Sequence, residues 1–311
     1  MKPQLANKST ASRLRMPCWV QSSFLPYRAT VSLFEAIVLG LVQGLSEFLP
    51  ISSTAHLTLV GRALSLVDPN APEQWTAFIA VTQLGTLAAV LLYFRRDILQ
   101  ITNAFVRENV HRTPLGQQSG AARSGWYIII GTVPIVVVGL LAKDVIEGAL
   151  TKNLMVIGVS LVVLAIILEI AERTATFRRT MAEVKGRDAL IVGLAQALAL
   201  IPGASRSGTT ITAGLFCGLT REAAARFSFL LSIPAVAASG LLEFVKVVRT
   251  VPSSQISMYA VATAVAAVSG YAAIALLLRF LRTRSTRVFI VYRLLLGAGL
   301  IVAIALGWIS A

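Results

Sequence analysis

The chain has 311 residues, 56% of them apolar and only 14% charged, with a formal net charge of +14. The apolar residues fall in long uninterrupted runs, which is membrane composition and sets aside an ordinary soluble domain. A charge this positive would suggest nucleic acid in a soluble protein, but here the basic residues sit between the apolar runs, where they set orientation; nucleic acid is not expected as a partner.

Residues 1–30 carry five basic residues and lack the apolar stretch of roughly 7 to 15 residues that a cleavable signal needs. A polar, poorly ordered tail is expected there, with Met16 as an alternative start. Cys18 and Cys217 are the only cysteines, so there is no disulfide framework and no cysteine-based metal site. A single membrane domain should cover 31–311, in two halves, 31–172 and 186–311.

The segment 33–51 is apolar but carries Glu35, Gln43, Glu47 and Pro50, unlike a lipid-facing helix. Gln43 and Glu47 are four apart and share one helix face, and a carboxylate at membrane depth marks a functional site. After Pro50 the run ISSTAH offers Ser52 or Ser53 as a cap for a new helix, with His56 one turn beyond Ser53. That spacing lets a serine nucleophile and a histidine base meet.

Six stretches approach the roughly 20 apolar residues that a span requires: 75–94, 126–142, 154–171, 224–245, 257–278 and 288–309. Arginine and lysine concentrate in three connections: Arg95 to Arg123, Arg173 to Arg187, and Arg279 to Arg287. These hold fourteen basic residues against five in the alternate connections, so they are expected to be cytoplasmic. If every span crosses once, 33–51 must enter and leave on the outer side and 188–219 on the cytoplasmic side, both as re-entrant hairpins. The basic tail would then lie outside, against the charge rule, which keeps a full first crossing open.

The second irregular segment, 188–219, contains PGASRSGTT. Gly203 and Gly208 permit tight backbone there, Ser205, Ser207, Thr209 and Thr210 offer hydroxyls, and Arg206 supplies a fixed charge. Together these read as an oxyanion cradle, since helix N-termini and an arginine fork both bind phosphate. The rival use of Arg206 is an ion pair with Glu47 across the two segments. The run from Ala36 also resembles that from Ala189, with Gly40 over Gly193, Gln43 over Gln196 and, after a one-residue slip, Pro50 over Pro202 and Ser53 over Ser205. The expected fold is therefore all-α and polytopic: six transmembrane helices plus two re-entrant helical hairpins arranged as an inverted repeat, with the site where the hairpins meet.

QGLSEFLPISSTAH and PGASRSGTT resemble the two signature regions of the undecaprenyl-diphosphatase family, also called bacitracin-resistance proteins. The likeness extends to VTQLGTLAAVL, FSFLLSIP and the final YR-containing helix, covering nearly everything from residue 33 onward. It implies hydrolysis of undecaprenyl diphosphate to the monophosphate, with Glu47, Ser53, His56, Ser205, Arg206 and Thr210 in the site. Many members have a second glutamate where this chain has Gln43, and a glycine where it has Ala55; Gln43 cannot supply charge to a metal.

These readings give catalytic candidates Glu47, Ser53, His56 and Arg206, and substrate-binding candidates Gln43, Gly203, Ser205, Arg206, Ser207 and Thr210. Glu47 either orients His56 or holds a divalent cation, expected to be Mg2+. Ser53 is the preferred nucleophile with His56 as base, while direct attack by His56 or by water stays open. The expected partners are the polyprenyl diphosphate lipid and the bilayer, with room for a homodimer. The expected location is the bacterial inner membrane, with the site open to the periplasmic side. The alternative function is a polyprenyl-phosphate flippase or transporter, because inverted repeats with broken helices are a transporter architecture.

Overall fold

The computed structural model describes residues 30–68, 72–143, 146, 152–250 and 252–310. The expected tail, Thr30 apart, lies outside these. Among the described residues there are eleven α-helices and no strand. In chain order they are α1 (Leu33–Phe48), α2 (Ser53–Ala63), α3 (Pro72–Tyr93), α4 (Arg95–Val110), α5 (Gly120–Leu141) and α6 (Leu154–Thr174). Then follow α7 (Gly186–Ala197), α8 (Arg206–Phe216), α9 (Arg221–Thr250), α10 (Ser253–Leu281) and α11 (Arg287–Ala305).

Six of these, α3, α5, α6, α9, α10 and α11, contain stretches long and apolar enough to cross a membrane, and they coincide with the six stretches expected from sequence. The other elements are shorter. At 1.5 Å per residue, α1 is about 24 Å long and α2 and α8 about 16 Å, less than the roughly 30 Å of a bilayer's hydrocarbon core.

The short helices come as two broken pairs. A capping box starts α1: Glu35 N–H donates to Ser32 Oγ at 3.3 Å, and Ser32 N–H donates to Glu35 Oε2 at 2.7 Å. The chain leaves the helix at Leu49–Pro50, as the residue before proline favours extended backbone. It restarts at Ser52, whose φ is 76° and whose Oγ accepts from Ala55 N–H at 3.3 Å. The second pair repeats this: α7 runs into a 3-10 turn, Leu198–Leu200, and α8 restarts at Ser205, with φ 70° and Oγ accepting from Gly208 N–H at 3.1 Å.

Ser52, not Ser53, therefore matches Ser205, and the one-residue slip of the sequence pairing is absent. A constant offset of 153 residues carries Ser32 onto Lys185, Glu35 onto Asp188, Ser52 onto Ser205 and α2 onto α8. The cap serine is tied to the first turn of the new helix, whereas a proline can occupy any place in the non-helical break; aligning the prolines misplaced the register.

Helix α10 packs against both α1 and α3, α11 against α6, α5 against α7, and α9 against α3 and α8. Gly40 and Gly44 let α1 lie close on α10: a Cβ at Gly40 would sit 2.5 Å from the Ala262 carbonyl oxygen, and one at Gly44 would overlap Ser269 Oγ. Phe48, at the end of α1, meets Phe229 of α9 edge-on with centroids 5.1 Å apart.

Ion pairs tie the helix ends on the arginine-rich side. Glu172 of α6 accepts from Arg221 Nε at 2.8 Å and from Thr286 Oγ1 at 2.8 Å, and Arg226 reaches Asp97 at 2.9 Å. The connection from Arg95 to Arg112 holds a feature not expected from sequence, the amphipathic helix α4. Ile98, Ile101, Ala104 and Phe105 form its inward face, with Phe105 against Trp126 at 5.1 Å.

Candidate functional site

The two breaks face each other, and Glu47 and Arg206 join them. Glu47, only 5% exposed in the last turn of α1, pairs with Arg206 Nη2 at the first turn of α8. Its other oxygen, Oε2, accepts from Gln43 Nε2 at 2.9 Å and from Ser53 Oγ at 2.6 Å. A buried ion pair stands only when its remaining hydrogen-bonding capacity is filled, and here one carboxylate gathers an arginine, an amide and a hydroxyl. Two groups of this cluster are left over: Arg206 Nη1 and Gln43 Oε1 are buried and have no partner among the described residues. A donor and an acceptor left open beside an ion pair are suited to a charged oxygen-rich ligand and its counter-ion.

Backbone N–H groups add to the arginine. Ser205 Oγ takes the Gly208 N–H and the Ser205 carbonyl takes that of Thr209, leaving the N–H groups of Arg206 and Ser207 at the start of α8 with no acceptor among the described residues. Ser207 Oγ donates to the Leu49 carbonyl at 3.0 Å and lies 3.2 Å from Ser205 Oγ, so this serine spans the two breaks. Thr210 is fully buried; its hydroxyl donates to the Arg206 carbonyl at 2.7 Å and shares a 2.5 Å hydrogen bond with Ser228. Gly203, with φ +83°, is pressed on α6, where a Cβ would come within 2.6 Å of the Ile157 carbonyl oxygen.

The expected meeting of Ser53 and His56 is not made: Ser53 points to Glu47, and His56 points elsewhere. His56 Nδ1 lies 2.7 Å from the Ser52 carbonyl, which can only accept, so Nδ1 carries the proton. On the neutral ring Nε2 then accepts from the Tyr292 hydroxyl at 2.5 Å, with the two rings stacked at 5.5 Å.

The neighbouring residue, Arg293, is fully buried in the apolar helix α11. Its fork donates to the Pro50 carbonyl at 3.3 Å and the Ala204 carbonyl at 3.1 Å, one from each break. Sequence reasoning gave neither Tyr292 nor Arg293 a role. Arg293 carried a signal, since an arginine inside an apolar span is costly unless it holds something together. Tyr292 carried none, because its partner lies 236 residues away.

For a divalent cation, Glu47 is the carboxylate in reach, and no group of three or more His, Cys, Asp and Glu forms a metal cluster among the described residues. The open Gln43 Oε1 would offer a second oxygen. Magnesium commonly binds through one or two carboxylates with substrate phosphates completing its shell, so these residues fit an ion shared with a phosphate, not one caged by protein alone.

The sequence profile of the family described as Bacitracin resistance protein BacA matches residues 36–299. A protein from Syntrophobacter fumaroxidans named undecaprenyl-diphosphatase is 56% identical over 272 residues, 87% of this chain and 97% of that protein. Proteins of the same name from Myxococcus xanthus and Chloroherpeton thalassium are 51% and 49% identical, each over 90% of this chain and over 92% and 100% of their own lengths. With its six apolar helices the chain is a multi-pass membrane protein, and it belongs to the bacitracin resistance protein BacA family.

Proposed function

We propose that the chain hydrolyses undecaprenyl diphosphate to undecaprenyl phosphate and inorganic phosphate, returning the carrier to envelope synthesis and conferring bacitracin resistance. The observation that carries this reading is the junction of the two breaks: an Arg206 whose buried Nη1 is open, beside two free N–H groups and a serine held on a carboxylate. Phosphate binding needs the arginine and the N–H groups; breaking a P–O bond also needs the nucleophile.

In this mechanism Arg206 turns its fork to the terminal phosphate, and the N–H groups of Arg206 and Ser207 take the charge that develops on its oxygens. Ser53 Oγ attacks the terminal phosphorus while its proton passes to Glu47 Oε2, its hydrogen-bond partner at 2.6 Å. The P–O bond to the lipid monophosphate breaks, and the departing oxygen takes that proton. Water then attacks the phosphorus of the phosphoserine; His56, turning from Tyr292, takes its proton and returns one to Ser53 Oγ as the Ser53 O–P bond breaks, leaving inorganic phosphate. A divalent cation, proposed to be Mg2+, would be held by Glu47 and Gln43 Oε1 and would neutralise diphosphate charge.

We further read the two broken pairs as re-entrant hairpins of an inverted repeat. Supporting this are the shortness of α1, α2, α7 and α8, the offset of 153 residues, and the exchange of partners in which α1 packs on α10 while α7 packs on α5. The loop charge supports the bacterial inner membrane with the Ser53 hairpin entering from the periplasmic side. Phosphate release from undecaprenyl diphosphate by the purified chain, with and without magnesium, tests the function. Release abolished in His56→Ala and Arg206→Ala supports it; folded protein that binds the lipid without releasing phosphate refutes it. Near-normal turnover in Ser53→Ala would remove the covalent step.

A further inference from the structure

Outside the site, the arginine-rich face carries a recess of about 420 Å³ between the start of α5 and the connection from Arg179 to Lys185. Arg123, Ser124 and Tyr127 line it from α5, and Arg179, Glu183 and Lys185 from the connection. Two of its charges are already committed. The Arg179 fork is closed by Asp188 together with the carbonyls of Cys217 at 2.7 Å and Glu183 at 2.6 Å. The Glu183 carboxylate is turned back on its own turn, accepting from Thr180 N–H at 2.7 Å and Thr180 Oγ1 at 2.9 Å. Arg123 and Lys185 remain, and Glu183 keeps its negative charge within electrostatic reach of Lys185, so the lining carries one positive charge in excess. The recess therefore presents unbalanced positive charge, and an anion would complete it.

The surroundings say which kind of anion. Along the Arg123 face of α5 the surface becomes apolar and open at Ile130 and Val137, both exposed and spaced by two turns, whereas the Tyr127 face continues into Gly131, packed against α7 and α9. This helix is also the least buried of the six candidate spans, with 17% of its apolar window inside the protein. The recess thus sits at the head of a lipid-facing strip, with a tyrosine at the level where aromatic residues mark the membrane interface. A free phosphate would use only the cations; a lipid would use both the cations and the strip.

We propose that this recess binds the phosphate headgroup of an anionic membrane lipid, held by Arg123 and Lys185, with its acyl chains laid along the exposed face of α5. Neither residue touches the Glu47–Arg206 site, so the inference stands apart from the proposed reaction.

The test is native mass spectrometry of the full chain in detergent, titrated with phosphatidylglycerol or phosphatidylcholine. The wild type should retain phosphatidylglycerol preferentially, and the double variant Arg123→Gln/Lys185→Gln should lose about 10-fold or more of that affinity. Arg123→Lys/Lys185→Arg, which conserves charge, should keep it. So should Arg279→Gln/Arg284→Gln, which removes the same charge from the same face outside the recess. Equal losses in both neutralised variants would mean general surface attraction and overturn the proposal. So would the absence of a headgroup preference in the wild type, or displacement of the lipid by inorganic phosphate at comparable concentration. Unchanged thermal unfolding of the variants excludes misfolding as the source of any loss.

Discussion

Arg206 and Glu47 lie 159 residues apart and meet as a largely buried pair, so each depends on the other for its geometry. Removing one partner of such a pair strands a charge at a cost of about 3–5 kcal/mol, and at a phosphate clamp it also removes a donor to the transition state. Arg206→Ala should lower kcat/KM for phosphate release by about 100-fold or more. Arg206→Lys should recover little, since an ammonium cannot reproduce the fork. Tyr292→Phe keeps the stack on His56 but removes the hydroxyl at Nε2; kcat should fall by about 10-fold with KM nearly unchanged in steady-state assays. Gln43→Glu replaces an amide donor to Glu47 with a second carboxylate, so the magnesium concentration giving half-maximal rate should drop. The groups that meet at the junction were legible in the sequence, because Glu47, Ser53 and Arg206 are polar residues in or beside apolar runs. The partner of each was not: whether Ser53 faces His56 or Glu47 depends on a rotation within one turn, and Tyr292 enters from the far end of the chain.

At the level of elements, close approach of helices decides where the breaks sit. Gly44 carries α1 onto α10 where a side chain would strike Ser269 Oγ and the Ala266 carbonyl. Gly44→Val should cost about 1–3 kcal/mol by overpacking and lower the thermal unfolding midpoint in detergent. Gly116→Val, with open space around it, should leave that midpoint unchanged. The six spans were readable because roughly 20 apolar residues leave few alternatives. The amphipathic α4 was not, since its end arginines, Arg95, Arg96 and Arg107, make it look like a charged loop until Ile98, Ile101, Ala104 and Phe105 are seen to share a face. The register of the two breaks failed for a different reason. Two adjacent serines were equally good caps, and only the backbone at positive φ singled out Ser52.

Across the whole molecule, the breaks are held by contacts from both halves: Glu47 with Arg206, Ser207 with Leu49, and Arg293 with the carbonyls of Pro50 and Ala204. The proposed inverted repeat brings two broken helices in from opposite faces and therefore has a defined sidedness. With Cys18 and Cys217 replaced by serine, a membrane-impermeant maleimide applied to intact cells should label Ser310→Cys and not Gly116→Cys; the reverse pattern would invert the proposed topology. In the proposed reaction the two breaks form one diphosphate cradle through Arg206 and Glu47. Single-turnover phosphate release from undecaprenyl diphosphate by wild type, Glu47→Gln, Arg206→Gln and the double variant tests it most directly. Each single variant should lose about 100-fold or more and the double variant little further, because the two residues act as a unit. Retained release in either single variant, or losses that multiply in the double, would contradict that cradle.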